Sequence, residues 1–328
     1  MRALRLAVPG IVALPAGCGG VQSALVPRGA EAAEIDTLFW TVTWVSVAVT
    51  VLVVSFVAIA LWGPSRWRNI IADHWVVTVG GIALPVVVLS ALLAYGLIVM
   101  QAGAARSASA DGPGVTIVGK RWWWEVVYER ADGSAVVSAN ELRLPVGQPV
   151  EVRLESDNVI HSFWAPQLGG KLDMIPGRTN VLTLEATEAG ISRAQCAEYC
   201  GGAHALMSMY VVAMPPEEYE AWLAAEARNA EEPADELSAQ GKELFLINGC
   251  GACHTVRGTE AEGTIGPDLT HVGSRRSLAA ATLPNDREAF ARWIADNQHI
   301  KPDNLMPPYG NLSIDHLTAI STYLEGLE

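Results

Sequence analysis

Between Cys196 and Met207 the chain reads Cys-Ala-Glu-Tyr-Cys-Gly-Gly-Ala-His-Ala-Leu-Met, gathering two thiols, a carboxylate, an imidazole and a thioether in one loop. Soft and borderline donors of this kind hold copper, whereas magnesium or calcium would call for oxygen. Gly201 and Gly202 let the backbone fold back, so that Cys200 and His204 can point at one place. His161, in Asn-Val-Ile-His-Ser-Phe-Trp, offers a second imidazole. A single blue-copper site needs one cysteine, two histidines and a weak methionine. Here there are two cysteines, and two bridging thiolates suit a pair of copper ions sharing one electron, each capped by a histidine. Zinc is the alternative, but the Met207 thioether is not among its usual ligands.

A second constellation, Cys250-Gly-Ala-Cys253-His254, has the C-x-x-C-H pattern of c-type haem attachment, with both thiols bonded to the porphyrin and the histidine as axial ligand. A thioredoxin-like redox pair would need a βαβ pattern around it, and none is evident. The stretch Asn-Leu-Met306-Pro-Pro-Tyr resembles the distal ligand loop of class I cytochromes c, which implies Met306 as sixth ligand, with His271 and His299 as rivals. His/Met ligation raises the haem potential and closes the iron to small ligands, which favours electron transfer.

The elements that must position these residues follow from composition. The 328-residue chain is half hydrophobic, carries five cysteines and has a net charge of −13, and its mean hydropathy is positive. Such a balance argues for membrane spans and against nucleic acid as a partner. The cysteines are too sparse for a disulfide scaffold. Residues 1–17 read as a signal peptide: Arg2 and Arg5, an apolar run from Leu6 to Leu14, then small residues before Cys18. The pattern is that of a lipoprotein signal with Cys18 lipidated, or of an ordinary signal peptide with an incidental cysteine. After an outer segment (18–36), the hairpin region 37–103 holds two uncharged runs, about 38–62 and 76–100, each long enough to cross a bilayer. Arg66 and Arg68 between them place that loop in the cytoplasm and both chain ends outside. Asp73 and His74 stand at the start of the second run, where an ionisable group is a functional candidate and interfacial anchoring the simpler use.

Residues 104–226 read as strands with turn signals. Continuous strands are expected over Val115–Tyr128 and Ala135–Leu144, then over Pro149–Glu155 and Asn180–Glu185, in an antiparallel Greek-key sandwich closed by a helix at Glu217–Ala225. An acidic linker (227–236) leads to a helical domain at 237–328, with helices expected at Ser238–Asn248 and Ser313–Leu327 and with Tyr323 and Leu324 packed near Phe245.

Taken together, His161, the Cys196–Met207 loop, the preceding two-helix hairpin, Lys-Leu-Asp-Met-Ile-Pro-Gly-Arg at 171–178 and the Trp-rich stretch resemble subunit II of the haem–copper cytochrome c oxidases. The final domain is similar to class I cytochromes c, a fusion known in bacteria. The resemblance implies a multidomain membrane protein: a transmembrane helix hairpin, an all-β cupredoxin-like sandwich and an all-α cytochrome c domain. It implies a dinuclear CuA centre with Cys196 and Cys200 bridging, His161 and His204 capping, Met207 as weak axial ligand and Glu198 contributing its backbone carbonyl. The Glu198 side chain would reach a magnesium ion at the boundary with subunit I. Trp122, first of Trp122-Trp123-Trp124, would lie where electrons come in. Implied partners are subunits I and III, an electron donor such as cytochrome c or a bc-type complex, and the membrane. The activity would be that of an oxidase subunit passing electrons from a donor, through haem c and copper, to an oxygen-reducing neighbour. The alternatives are a membrane-anchored carrier feeding another terminal reductase, such as one acting on a nitrogen oxide, or a non-redox copper-binding module.

Overall fold

The computed structural model describes residues 19–107, 114–130 and 132–328, so the expected signal peptide and Cys18 lie outside the described residues. Helix α1 spans Ala30–Trp62, eight residues longer at its start than the apolar run alone. Short helices α2 (Ser65–Ile71) and α3 (His74–Thr78) follow, then a π-turn at Val79–Ala83 and α4 (Leu84–Ser107). Two stretches, Ala30–Trp62 and His74–Gln101, are long and apolar enough to cross a membrane, and their most apolar windows are not buried within the fold. Trp44, Val51, Val54 and Leu61 all stay exposed, an all-round apolar surface that suits a helix in lipid. The hydroxyls along α1 turn inward: Thr37, Thr41, Ser46, Thr50 and Ser55 each donate to the carbonyl four residues back, at 2.7–2.9 Å. Satisfying polar groups within the helix is what a hydrocarbon environment demands. Asp73 caps α3 by accepting from Trp75 N at 3.1 Å, which gives it a structural task at the helix start.

The chain before α1 is stapled to the next domain. Arg28 N donates to Gln167 O (2.7 Å), Thr187 N to Arg28 O (2.8 Å) and Ala30 N to Glu185 O (3.1 Å). These bonds tie the start of the apolar helix to the sandwich it precedes.

That sandwich has two five-stranded sheets. One has the order β3-β2-β1-β5-β8 and the other β4-β10-β9-β6-β7, from β1 (Val115–Lys120), β2 (Trp123–Glu129), β3 (Ala135–Ala139), β4 (Glu141–Pro145), β5 (Val150–Ser156), β6 (His161–Trp164), β7 (Leu172–Met174), β8 (Asn180–Leu184), β9 (Gly190–Cys196) and β10 (Ser208–Met214). Three expectations need correcting. The Trp-rich run is no single strand: it turns at Arg121-Trp122, and Lys120 pairs with Trp123 in an antiparallel hairpin. The run 135–144 breaks at Asn140, whose φ of 60° swings the chain from one sheet to the other. Asparagine tolerates that left-handed conformation better than most residues, and its side chain accepts from Trp124 N at 2.9 Å. The sheets are also mixed rather than antiparallel, since β1–β5 and β4–β10 run parallel.

Alternation along the strands builds the core between the sheets. In β2, Trp124, Val126 and Tyr128 point inward and are fully buried, as period-two side chains must be when one face meets the other sheet. Helix α5 (Pro216–Glu226) closes the domain, stacking Trp222 edge-on against Tyr128 at 5.0 Å.

The last domain is helical: α6 (Glu236–Ile247), α7 (Arg287–Ile300) and α8 (Ile314–Glu325). Each has an acidic or hydroxyl N-cap, respectively Asp235, Asp286 and Ser313, accepting from a backbone N–H inside the first turn. Phe245 meets Tyr323 edge-on at 5.9 Å, fixing the crossing of α6 and α8 where it was expected. Helix α7 was not anticipated, although its cap and the spacing of Phe290, Trp293 and Ile294 signal it.

Candidate metal and haem centres

Strands β6 and β9 are neighbours, with Phe163 opposite Cys196, so His161 and Cys196 emerge at the same end of the sandwich. The loop from Cys196 to Met207 is closed by backbone bonds: Cys196 N donates to Met207 O and Ala197 N to Ser162 O, both at 2.9 Å. Within it the donors converge. Cys196 Sγ lies 3.7 Å from Cys200 Sγ, 3.8 Å from His161 Nδ1 and 3.2 Å from the Glu198 carbonyl. Cys200 Sγ lies 3.5 Å from His204 Nδ1 and 3.9 Å from Met207 Sδ. His161, Cys196 and Cys200 are buried and stand within 4.8 Å of one another, as a shared metal site requires. All six residues that the sequence singled out are thus brought together, Glu198 through its carbonyl, while its carboxylate remains exposed.

The hydrogen bond between the two thiols splits them into a strong acid and a weak one. A hydrogen bond from Cys200, helped by His161, holds the Cys196 thiol far below its ordinary range, at about 3. The same bond, burial and the resulting negative charge push Cys200 well above it. Cations bound between the two sulfurs would remove that repulsion and favour both as thiolates. The donor set, two sulfurs from cysteine, two imidazole nitrogens, a thioether and a carbonyl, fits soft or borderline copper and lacks the oxygens a hard cation wants.

Two supports escaped the sequence reading. The His161 ring pairs with Asn158 Oδ1 through Nε2 (3.1 Å), leaving Nδ1 to face Cys196. An acceptor for the far ring N–H fixes both tautomer and ring orientation. Gly119 on β1 makes room for that ring, since a Cβ there would stand 2.8 Å from it. The Asn-x-x-His spacing was a usable signal for the first, but only strand pairing reveals the second.

The helical domain presents Cys250, Cys253, His254 and Met306 around one apolar pocket. His254 Nδ1 donates to Pro267 O at 2.8 Å, so Nε2 is left to ligate, and burial holds the imidazole neutral by lowering its pKa. Burial pushes the Cys250 thiol up to about 11, the opposite of an exchange-active thioredoxin-type cysteine. The Met306 loop is pinned: Met306 N donates to Asn304 Oδ1 (2.9 Å) and Gln298 Nε2 to Met306 O (3.0 Å). The rival histidines are occupied elsewhere. His271 is buried with its two ring nitrogens against Glu328 O and Arg228 O, and exposed His299 pairs with Asp296. Thiols, a neutral imidazole and a thioether around an apolar slot fit a covalently held haem.

The two centres share a wall. Arg121, Trp122, Trp123 and Asn140 of the sandwich line the haem-side pocket. Trp122 is buried, and its Nε1 donates to Cys200 O at 2.9 Å. Gly201, at φ 118°, leaves space for the indole, for a Cβ there would meet the ring at 2.8 Å.

Residues 114–214 match the family described as the periplasmic domain of cytochrome c oxidase subunit II, and residues 238–328 match cytochrome c. Cytochrome c oxidase subunit 2 of Alkalihalophilus pseudofirmus is 38% identical over 214 residues, covering 65% of this chain and 61% of that protein. Subunit 2 of Bacillus subtilis is 34% identical over 226 residues, covering 65% and 62%. The chain thus spans about three-fifths of these curated relatives. The solved periplasmic domain of subunit II from Bradyrhizobium japonicum is 27% identical, covering 36% of this chain and 96% of that one, with a TM-score of 0.33. Residues 114–214 are therefore similar to the periplasmic domains of cytochrome c oxidase subunit II, a similarity that points to copper, and residues 238–328 are similar to cytochrome c, a similarity that points to haem.

Proposed function

We propose that this chain is the electron-receiving subunit II of a haem–copper cytochrome c oxidase, taking electrons at its own haem domain and delivering them through its copper site to an oxygen-reducing subunit I. The observation that carries the reading is the contiguity of the two sites: Trp122 lines the haem pocket and hydrogen-bonds the Cys200 carbonyl.

When bound, a copper pair and a haem each supply reversible one-electron chemistry. Everything else is done by the residues of the chain. Cys196 and Cys200 would bridge the copper ions, His161 and His204 would cap them, and Met207 and the Glu198 carbonyl would complete the set weakly. Cys250 and Cys253 would hold the haem covalently, and His254 and Met306 would ligate its iron. Close packing and backbone bonds keep both donor sets rigid, so little has to move when charge does. The exposed Glu198 carboxylate is free to reach a magnesium ion at a boundary with subunit I, oxygen being what that ion prefers. The two apolar stretches would cross the membrane as a hairpin with both domains outside, Arg66 and Arg68 setting the direction, and Cys18 would add a lipid anchor. A subunit III and a donor such as a soluble cytochrome c or a bc-type complex complete the assembly.

The test is to purify the full chain from its native membrane. A seven-line copper hyperfine pattern beside a low-spin haem c spectrum, in a preparation that retains a haem–copper subunit and consumes oxygen, is the expected result. A chain that copurifies only with a different reductase would overturn the oxidase reading.

A further inference from the structure

The seam between the two domains is gripped at one unusual turn. Ala279, Ala280 and Ala281 have φ values of 52°, 59° and 58°, three successive left-handed residues that are not glycine. Such conformations are disfavoured for residues with a Cβ and persist only where surrounding contacts impose them. Each of the three carbonyls is bonded. Lys301 Nζ donates to Ala279 O (3.1 Å), Ser208 N to Ala280 O (3.3 Å) and Arg193 Nη2 to Ala281 O (3.1 Å). Thr282 Oγ1 then donates to Leu206 O at 3.3 Å.

Lys301 crosses the same seam. Only 3% exposed, it ends α7, yet Nζ also donates to two carbonyls of the sandwich, Trp122 O at 2.6 Å and Leu206 O at 3.0 Å. A buried ammonium is tolerated only when its donors are satisfied, and three carbonyls satisfy all three. The bonds fall on the residues either side of Met207: Leu206 O receives Lys301 and Thr282, and Ser208 N is held by Ala280.

We propose that Lys301 and the Ala279–Thr282 turn are positioning residues of the copper centre, by which the docked haem domain fixes the backbone on both sides of Met207 and the carbonyl of Trp122. The inference rests on the copper assignment made above. It makes the haem domain part of the support of the copper site as well as its electron source. Two effects follow from the geometry: the thioether distance depends on docking, and the buried cation favours the more electron-rich form of the centre beside it.

The experiment uses the full chain loaded with copper and haem, comparing wild type, Lys301→Met, Lys301→Gln and Thr282→Val. The readouts are the copper hyperfine pattern, the midpoint potential of the copper centre and hydrogen exchange at the Ser208 amide. Lys301→Met is expected to speed Ser208 exchange, alter the hyperfine couplings and lower the potential by the equivalent of about tenfold, roughly 59 mV for one electron. Thr282→Val removes no charge and is expected to change the couplings with a smaller shift in potential. Lys301→Gln retains two donors and is expected to fall between wild type and Lys301→Met; it carries the test if the methionine variant does not take up haem. Unchanged couplings and potential in a lysine variant whose Ser208 amide exchanges faster would overturn the proposal, because the seam would have opened without disturbing the metal. A wild-type chain with no mixed-valence copper signal would instead overturn the copper assignment, and this inference with it.

Discussion

At the scale of single residues, the two thiols are the least replaceable parts of the site. Cys196 and Cys200 lie 3.7 Å apart, close enough to be bridged by shared ions without backbone movement. Replacing either by serine should abolish the mixed-valence copper signal and leave the haem spectrum intact; a signal that survived both changes would refute the ligand assignment. Asn158 acts one bond further out. With Asn158→Ala the Nε2 side of His161 loses its Oδ1 partner, so copper affinity should fall about 10- to 100-fold, measurable by competition with a chelator. On the haem side, Met306→Ala should let carbon monoxide bind the reduced iron, seen as a Soret shift, since neither His271 nor His299 is free to take its place. Persistence of a closed, low-spin haem in that variant would point to another ligand.

At the scale of elements, the sandwich is shaped to bring one strand end and one loop together. The β6–β9 pairing sets the height of His161 against Cys196, and β1 passes close enough that only glycine fits at position 119. Gly119→Val should force the His161 ring aside and cost about 1–3 kcal/mol in stability from overpacking. Copper loading would fall with it, and thermal melting of the metal-free chain would separate the two effects. In the helical domain the corresponding contact is Phe245 on Tyr323. Phe245 is 2% exposed, so Phe245→Ala should cost about 3–5 kcal/mol, and it should loosen α6 just before the Cys250 attachment site.

At the scale of the whole molecule, the fusion matters because the domains are docked as well as tethered. Arg257 donates to Glu226 O and Val137 O, and Arg276 N donates to the Glu141 carboxylate, so the seam has contacts besides those of Lys301. Transfer between the haem and copper sites should accordingly be first order and unchanged over about 100-fold dilution, since tethering replaces encounter by effective concentration. Flash reduction of the haem at two protein concentrations measures this directly. A rate that scaled with concentration would mean that the docked arrangement is not the one that transfers electrons.

Local sequence determined the chemistry of this protein. Paired cysteines four residues apart, with histidine and methionine following, and a C-x-x-C-H motif name their cofactors by donor type and spacing alone. The apolar runs of the hairpin likewise declare themselves by length, and α6 and α8 by caps and periodicity. Where the chain turns was less legible. The Trp-rich run and the 135–144 run both look like unbroken strands, because the features that break them, a turn at Arg121-Trp122 and a left-handed Asn140, are imposed by the sheets they join. The tertiary structure alone decided what surrounds the ligands. Lys301, in Ile-Lys-Pro-Asp, has the local sequence of an exposed helix end, yet it is buried against carbonyls of Trp122 and Leu206, far away in the chain. Trp122 became a wall shared by two sites for the same reason. Ligand identity is a property of neighbouring residues, whereas support and docking come from contacts between segments that only folding brings together.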